Sequence, residues 1–136
     1  MSRTTIICID DEMVILKSLK SQLKKHLGTQ AVIETANSAD EGLEILQEVD
    51  RGDNQIVVIV SDYLMPGMKG DEFLHTARTR HPRIESIMLS GEIPDDAAKN
   101  ARENLDLVAL VAKPWDELNF LEIVKQAISK AENKQL

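Results

Sequence analysis

Five short apolar runs punctuate the chain at nearly even spacing, at residues 5–9, 31–35, 56–60, 86–89 and 107–112, and four of them lack polar alternation. A strand with one wet face alternates apolar with polar, so an unbroken run predicts a strand buried on both faces, as in a parallel sheet covered by helices. Between the runs, apolar residues recur three or four apart. Ile15, Leu19, Leu23 and Leu27 form one stripe, Ala39, Leu43 and Leu46 a second, and Leu118, Leu121, Val124 and Ile128 another, each predicting an amphipathic helix. Phe73, Leu74 and Ala77 predict the third helix, and residues 95–103, with only Ala97, Ala98 and Ala101 as a stripe, the fourth. Ser38 with Glu41 three residues on reads as a capping box, Asp95 or Asp96 suits the cap after Pro94, and Gly28 suits the end of the first helix. Strand and helix alternating five times predict a doubly wound α/β fold around a five-stranded parallel sheet.

The 136 residues suit one domain, expected over 1–130, with the polar segment 131–136 as a tail or the start of a linker. Hydrophobic residues at 43% are enough for a core, and a net charge of −7 argues against nonspecific attraction to nucleic acid or an anionic membrane. No apolar run has the length of a spanning helix, and no basic and apolar leader opens the sequence, so the expected compartment is the cytoplasm. Cys8, the single cysteine, lies in an apolar run and reads as a small buried hydrophobe.

Ligands of such sheets bind beyond the carboxyl ends of the strands. The first run leads into Asp10, Asp11 and Glu12, the third into Asp62, the fourth into Ser90, and the fifth into Lys113 and Pro114. Two carboxylates about 4 Å apart repel by roughly 4 kcal/mol at an effective dielectric near 20, so a positive group belongs between them. Oxygen donors without a histidine or cysteine cluster suit magnesium, and Lys113 supplies a second positive charge. A metal and a lysine around one carboxylate suit phosphoryl transfer, with Asp62 as the best-placed nucleophile. Each residue alone has a plainer reading: Asp10 or Asp11 as a helix cap, Asp62 as a turn residue, Ser90 as a loop hydroxyl before Gly91, Lys113 as a solvated lysine. After Asp62, Pro66-Gly67 suits the centre of a type II turn, and Gly70 leaves room beside the next helix.

Taken together, IDDE after the first run, SDYLMPGMKG after the third, LSG after the fourth and AKPW after the fifth resemble the receiver domain of bacterial two-component response regulators, over about residues 4 to 130. The resemblance implies a flavodoxin-like sheet of strand order 2-1-3-4-5 with five helices. It implies that Asp62 accepts a phosphoryl group from a phosphohistidine on a sensor histidine kinase or a histidine phosphotransfer protein. It further implies Mg2+ (or Mn2+) held by Asp11, Asp62 and the Leu64 backbone carbonyl, with Asp10 acting through water. Ser90 corresponds to the switch hydroxyl and Lys113 to the lysine that pairs with the phosphate, and the Lys113-Pro114 bond is often cis in this family. Such a chain is a phosphorylation-activated switch and not a metabolic enzyme. It is expected to bind neither nucleic acid nor membrane directly, and the face of the fourth helix, fifth strand and fifth helix is the expected one for a homodimer.

Two features depart from the family or tune it. Leu110 stands where many receivers carry an inward-turning aromatic ring, which leaves open a phosphorylation-independent interaction module on the same scaffold. Leu64 and Glu92 occupy the positions that tune hydrolysis, and a bulky Leu64 is expected to hinder the attacking water. A haloacid-dehalogenase-like phosphatase would place its nucleophile after the first strand in a D-x-D pattern, which this chain lacks. A flavin binder would want a hydroxyl-rich loop where the three acidic residues stand. His26, His75 and His81 lack metal-ligand spacing and are expected in surface or structural roles.

Overall fold

The computed structural model describes residues 3–52, 54–91, 99 and 105–134. Five strands, β1 (Arg3–Ile9), β2 (Val32–Ala36), β3 (Gln55–Asp62), β4 (Glu85–Ser90) and β5 (Ala109–Ala112), form one sheet of order β2-β1-β3-β4-β5. All four pairings are parallel. This is the doubly wound, flavodoxin-like arrangement expected from the sequence.

The helices divide between the faces. α1 (Met13–Leu27) and the C-terminal helix (Glu117–Asn133) cover one side. There Leu16, Leu19, Leu23, Phe120 and Val124 pack on Ile6, Cys8, Val58, Val60 and Ile87. α2 (Ala39–Val49) and α3 (Gly70–Arg80) cover the other, where Leu46, Phe73 and Leu74 meet Ile7, Ile9, Val57, Ile59 and Met88. Successive side chains on a strand point to opposite faces, so each central strand feeds both cores. Each fully buried leucine or phenylalanine contributes about 1.5–3 kcal/mol.

Local signals explain the boundaries. Ser38 Oγ accepts the Glu41 N–H at 3.2 Å, and Asp116 Oδ2 accepts the Asn119 N–H at 2.9 Å, so both helices begin on a side-chain cap. Gly28 ends α1 at a φ of 55°. β5 starts at Ala109, two residues later than the apolar run. Asp106, with a φ of 51°, turns the chain into the sheet, and its carboxylate takes a 3.1 Å hydrogen bond from Arg78. The C-terminal helix continues to Asn133 and buries Ala131, so residues 131–133 pack as helix despite their polar composition. Apart from Lys99, which is helical, the fourth helix expected over 95–103 lies outside the described residues, as does Glu92; of the expected dimer face, the fifth strand and the C-terminal helix are described. Among the described residues no helix is long and apolar enough to cross a membrane.

Candidate functional site: an acidic pocket at the strand ends

The carboxyl ends of β1, β3, β4 and β5 bring Asp10, Asp11, Asp62, Ser90 and Lys113 to one edge of the sheet, as expected from sequence. The backbone ladder carries them there. Asp10 N–H donates to Ala36 O at 3.2 Å, Tyr63 N–H to Leu89 O at 2.9 Å, and Lys113 N–H to Ser90 O at 2.8 Å. Asp62 is opposite Leu89 in the register, so Ser90 is the next residue along the neighbouring strand. The Lys113-Pro114 bond is cis.

Carboxylate oxygens of Asp10, Asp11 and Asp62 lie within 4.8 Å of one another. Asp10 and Asp62 are buried, whereas Asp11 faces solvent. Lys113 Nζ donates to Asp10 Oδ2 and to Asp62 Oδ1, each at 3.0 Å, and so bridges the first and third strands. The other oxygen of Asp10 accepts the Glu12 N–H at 2.9 Å, which fixes its orientation at the entrance to α1. Burial pushes the Asp62 carboxyl above its ordinary range; the charges of Asp10 and Asp11 add to this and the hydrogen bond from Lys113 opposes it. For Lys113, burial acts to lower the ammonium pKa, but the hydrogen bonds and charges of Asp10 and Asp62 together outweigh it and raise it.

Three carboxylates against one ammonium leave the pocket with excess negative charge, and all its donors are hard oxygens. That set fits a small divalent cation. Ser90 Oγ is buried with no hydrogen-bond partner, a polar group beside Asp62 that an incoming oxygen atom would satisfy. The loop after Asp62 is shaped as the sequence predicts. Gly67 has a φ of 86°, as the third position of a type II turn requires. At Gly70 an added Cβ would meet the Asp62 carbonyl oxygen and come within 2.9 Å of Tyr63 Cα, so α3 begins in contact with the backbone of Asp62 itself. Leu64 is 57% exposed, at the mouth of this loop. Leu110 is half-buried and packs on the α2 and α3 side of the sheet.

Burial pushes the Cys8 thiol up to about 12, in keeping with a core role. His26 pairs with Glu117 at 2.7 Å and His81 with Asp50 at 2.7 Å, both as ties between elements. Sequence reasoning missed the contact of Trp115 with Gln22, at 2.8 Å, and the ion pair of Lys134 with the fully buried Glu85. Both join residues far apart in the chain, and no motif announces them.

Residues 6–125 match the family model for the response regulator receiver domain. The hydrogenase transcriptional regulatory protein HoxA of Cupriavidus necator is 28% identical over 126 residues, covering 93% of this chain and 24% of that protein. The DNA-binding transcriptional regulator NtrC of Escherichia coli is 27% identical over 135 residues, covering 99% and 27% respectively. The chain thus spans about a quarter of the length of these curated relatives. A solved CheY-like response regulator receiver domain protein from Methanospirillum hungatei matches with a TM-score of 0.82 and 27% identity, over 98% of this chain and 99% of that one. One from Clostridium thermocellum matches with a TM-score of 0.83 and 27% identity, over 95% and 97%.

Proposed function

The chain belongs to the response regulator receiver domain family, a family of phosphorylation-driven signalling switches, and from that premise we propose that Asp62 is its phosphoacceptor. The donor is a phosphohistidine on a sensor histidine kinase or a histidine phosphotransfer protein. An Asp62 carboxylate oxygen forms a bond to phosphorus as the bond from phosphorus to the histidine nitrogen breaks. The imidazole leaves with the electron pair of that bond.

The observation that carries this reading is the Lys113 ammonium held at 3.0 Å from both Asp10 and Asp62 at the ends of three strands. It lies ready to balance charge on the transferred group, as a mobile point charge. Ser90 Oγ, buried and unpartnered, hydrogen-bonds a phosphoryl oxygen and draws β4 toward the acceptor. Asp11 and Asp62, with the Leu64 backbone carbonyl and with Asp10 through water, would hold Mg2+ or Mn2+. The metal, when bound, supplies positive charge that offsets the three carboxylates and the phosphoryl oxygens. The chemistry is self-directed: phosphorylation and dephosphorylation of Asp62 shift a conformational equilibrium that a partner reads.

Intact-mass spectrometry after incubation with phosphoramidate tests the reading, with and without magnesium and with Asp62→Ala as control. A magnesium-dependent phosphoryl adduct lost in the variant supports it. Folded protein that gains no adduct from this donor or from a phosphohistidine donor favours a phosphorylation-independent module.

A further inference from the structure

Trp115, the single tryptophan, follows directly on the Lys113-Pro114 pair and ties that loop to α1. Its indole N–H donates to Gln22 Oε1 at 2.8 Å. The Gln22 carboxamide nitrogen donates to Ser18 Oγ at 3.4 Å, which turns the carboxamide oxygen toward the indole. On its other side the Trp115 ring packs tilted at 45° against buried Phe120, with centroids 5.8 Å apart. Close by, Glu117 accepts hydrogen bonds from His26 and Lys25 at 2.7 and 3.4 Å, a second tie between α1 and the start of the C-terminal helix.

Beside this contact lies an open groove of about 430 Å3, lined by Ile15, Ser18, Gln22, Lys113, Pro114 and Trp115. Trp115 packs against the core beneath α1 and the C-terminal helix, and its hydrogen bond to Gln22 adds a directional tie at the edge of the groove. A lysine ammonium rides on a long flexible stem, so the backbone from which Lys113 springs decides whether it reaches both carboxylates at once.

We propose that Gln22 and Trp115 are positioning residues for Lys113: the hydrogen bond between them fixes the loop so that the ammonium bridges Asp10 and Asp62. The proposal rests on the reading of Asp62 as phosphoacceptor for its effect on rate, but not for its effect on Lys113 itself. Neither residue touches the reacting atoms.

The test compares Gln22→Leu, which removes the acceptor, with Gln22→Glu, which keeps an oxygen in reach of the indole. Three quantities are read on the full chain: phosphorylation rate from phosphoramidate, magnesium affinity by calorimetry, and the rate at which an N-hydroxysuccinimide ester acylates Lys113. Loss of one ordinary hydrogen bond predicts that Gln22→Leu is phosphorylated about fivefold more slowly and that Gln22→Glu stays within about twofold of wild type. Lys113 is acylated faster in Gln22→Leu and at the wild-type rate in Gln22→Glu. Magnesium binds Gln22→Leu as tightly as wild type or more tightly, since a looser ammonium competes less for the carboxylates. A Gln22→Leu variant that matches wild type in Lys113 acylation, or a Gln22→Glu variant that falls with it, overturns the proposal. So does a parallel loss of magnesium affinity, which would mark general loosening of the pocket. Wild-type protein that is not phosphorylated instead overturns the reading of Asp62, while the acylation rates still decide the role of Gln22 and Trp115.

Discussion

The carbonyl oxygen of Asp62 fills the space where a side chain on Gly70 would begin. The first turn of α3 therefore rests on the backbone of Asp62, and Gly70 N–H bonds to Tyr63 O at 2.8 Å. Even a methyl group there must push β3 and α3 apart. Gly70→Ala is expected to cost about 1–3 kcal/mol, the usual penalty of overpacking, and to slow phosphorylation. Denaturant unfolding and the rate of adduct formation check both effects, and a variant of unchanged stability contradicts the contact.

Asp62 carries the opposite sign of effect. Burial raises its folded-state pKa, with Asp10 and Asp11 acting in the same direction. The folded chain therefore holds that proton to a higher pH than the unfolded chain. The group favours folding below the ordinary carboxylate range, and this contribution is lost as pH rises through the folded value, so at pH 7 ionised Asp62 opposes folding. Asp62→Asn keeps an oxygen for Lys113 and removes the charge. It is expected to raise the unfolding midpoint by about 4 °C, the size that roughly 1 kcal/mol gives a domain of this length. The difference from wild type shrinks at acid pH and when magnesium is added, which thermal scans across pH will show.

Lys134 pairs with Glu85, whose side chain is 0% exposed and whose second oxygen has no hydrogen-bond partner. Removing one member strands the other. Lys134→Met should cost about 2–3 kcal/mol, less than the 3–5 of a fully buried pair, because Lys134 keeps 30% exposure. Adding Glu85→Gln should recover most of that loss. A double-mutant cycle of unfolding free energies measures the coupling, and strictly additive losses would show that the pair contributes nothing.

Leu64 is exposed two residues after Asp62, where an apolar side chain offers water no hydrogen bond. Leu64→Asn is expected to shorten the phosphoryl lifetime severalfold by orienting the attacking water. The decay of the adduct mass with time reads this directly, and a lifetime that stays the same or lengthens contradicts it.

The strand ends were legible in the sequence because buried parallel strands leave an apolar imprint that stops where chemistry begins. Asp10, Asp62, Ser90 and Lys113 each mark such a stop. Two side-chain relations were not legible. Glu85 reads in sequence as the polar residue before a strand, and only the fold shows that the C-terminal helix lays Lys134 over it. Gln22 sits on α1 among lysines and serines and reads as solvated surface, yet it receives the Trp115 indole from 93 residues away. The start of β5 was misplaced by two residues because Leu107 and Val108 are apolar and half-buried although they precede the ladder.

Among the described residues, no side chain belongs to both hydrophobic cores. The sheet is therefore a partition: substitutions beneath α1 and the C-terminal helix reach the α2 and α3 side only by displacing a strand. β5 is one such crossing point, with Val111 in one core and Leu110 against the other. The surface beside Lys113 and the opposite surface can accordingly diverge separately, each tuned by its own core without disturbing the other.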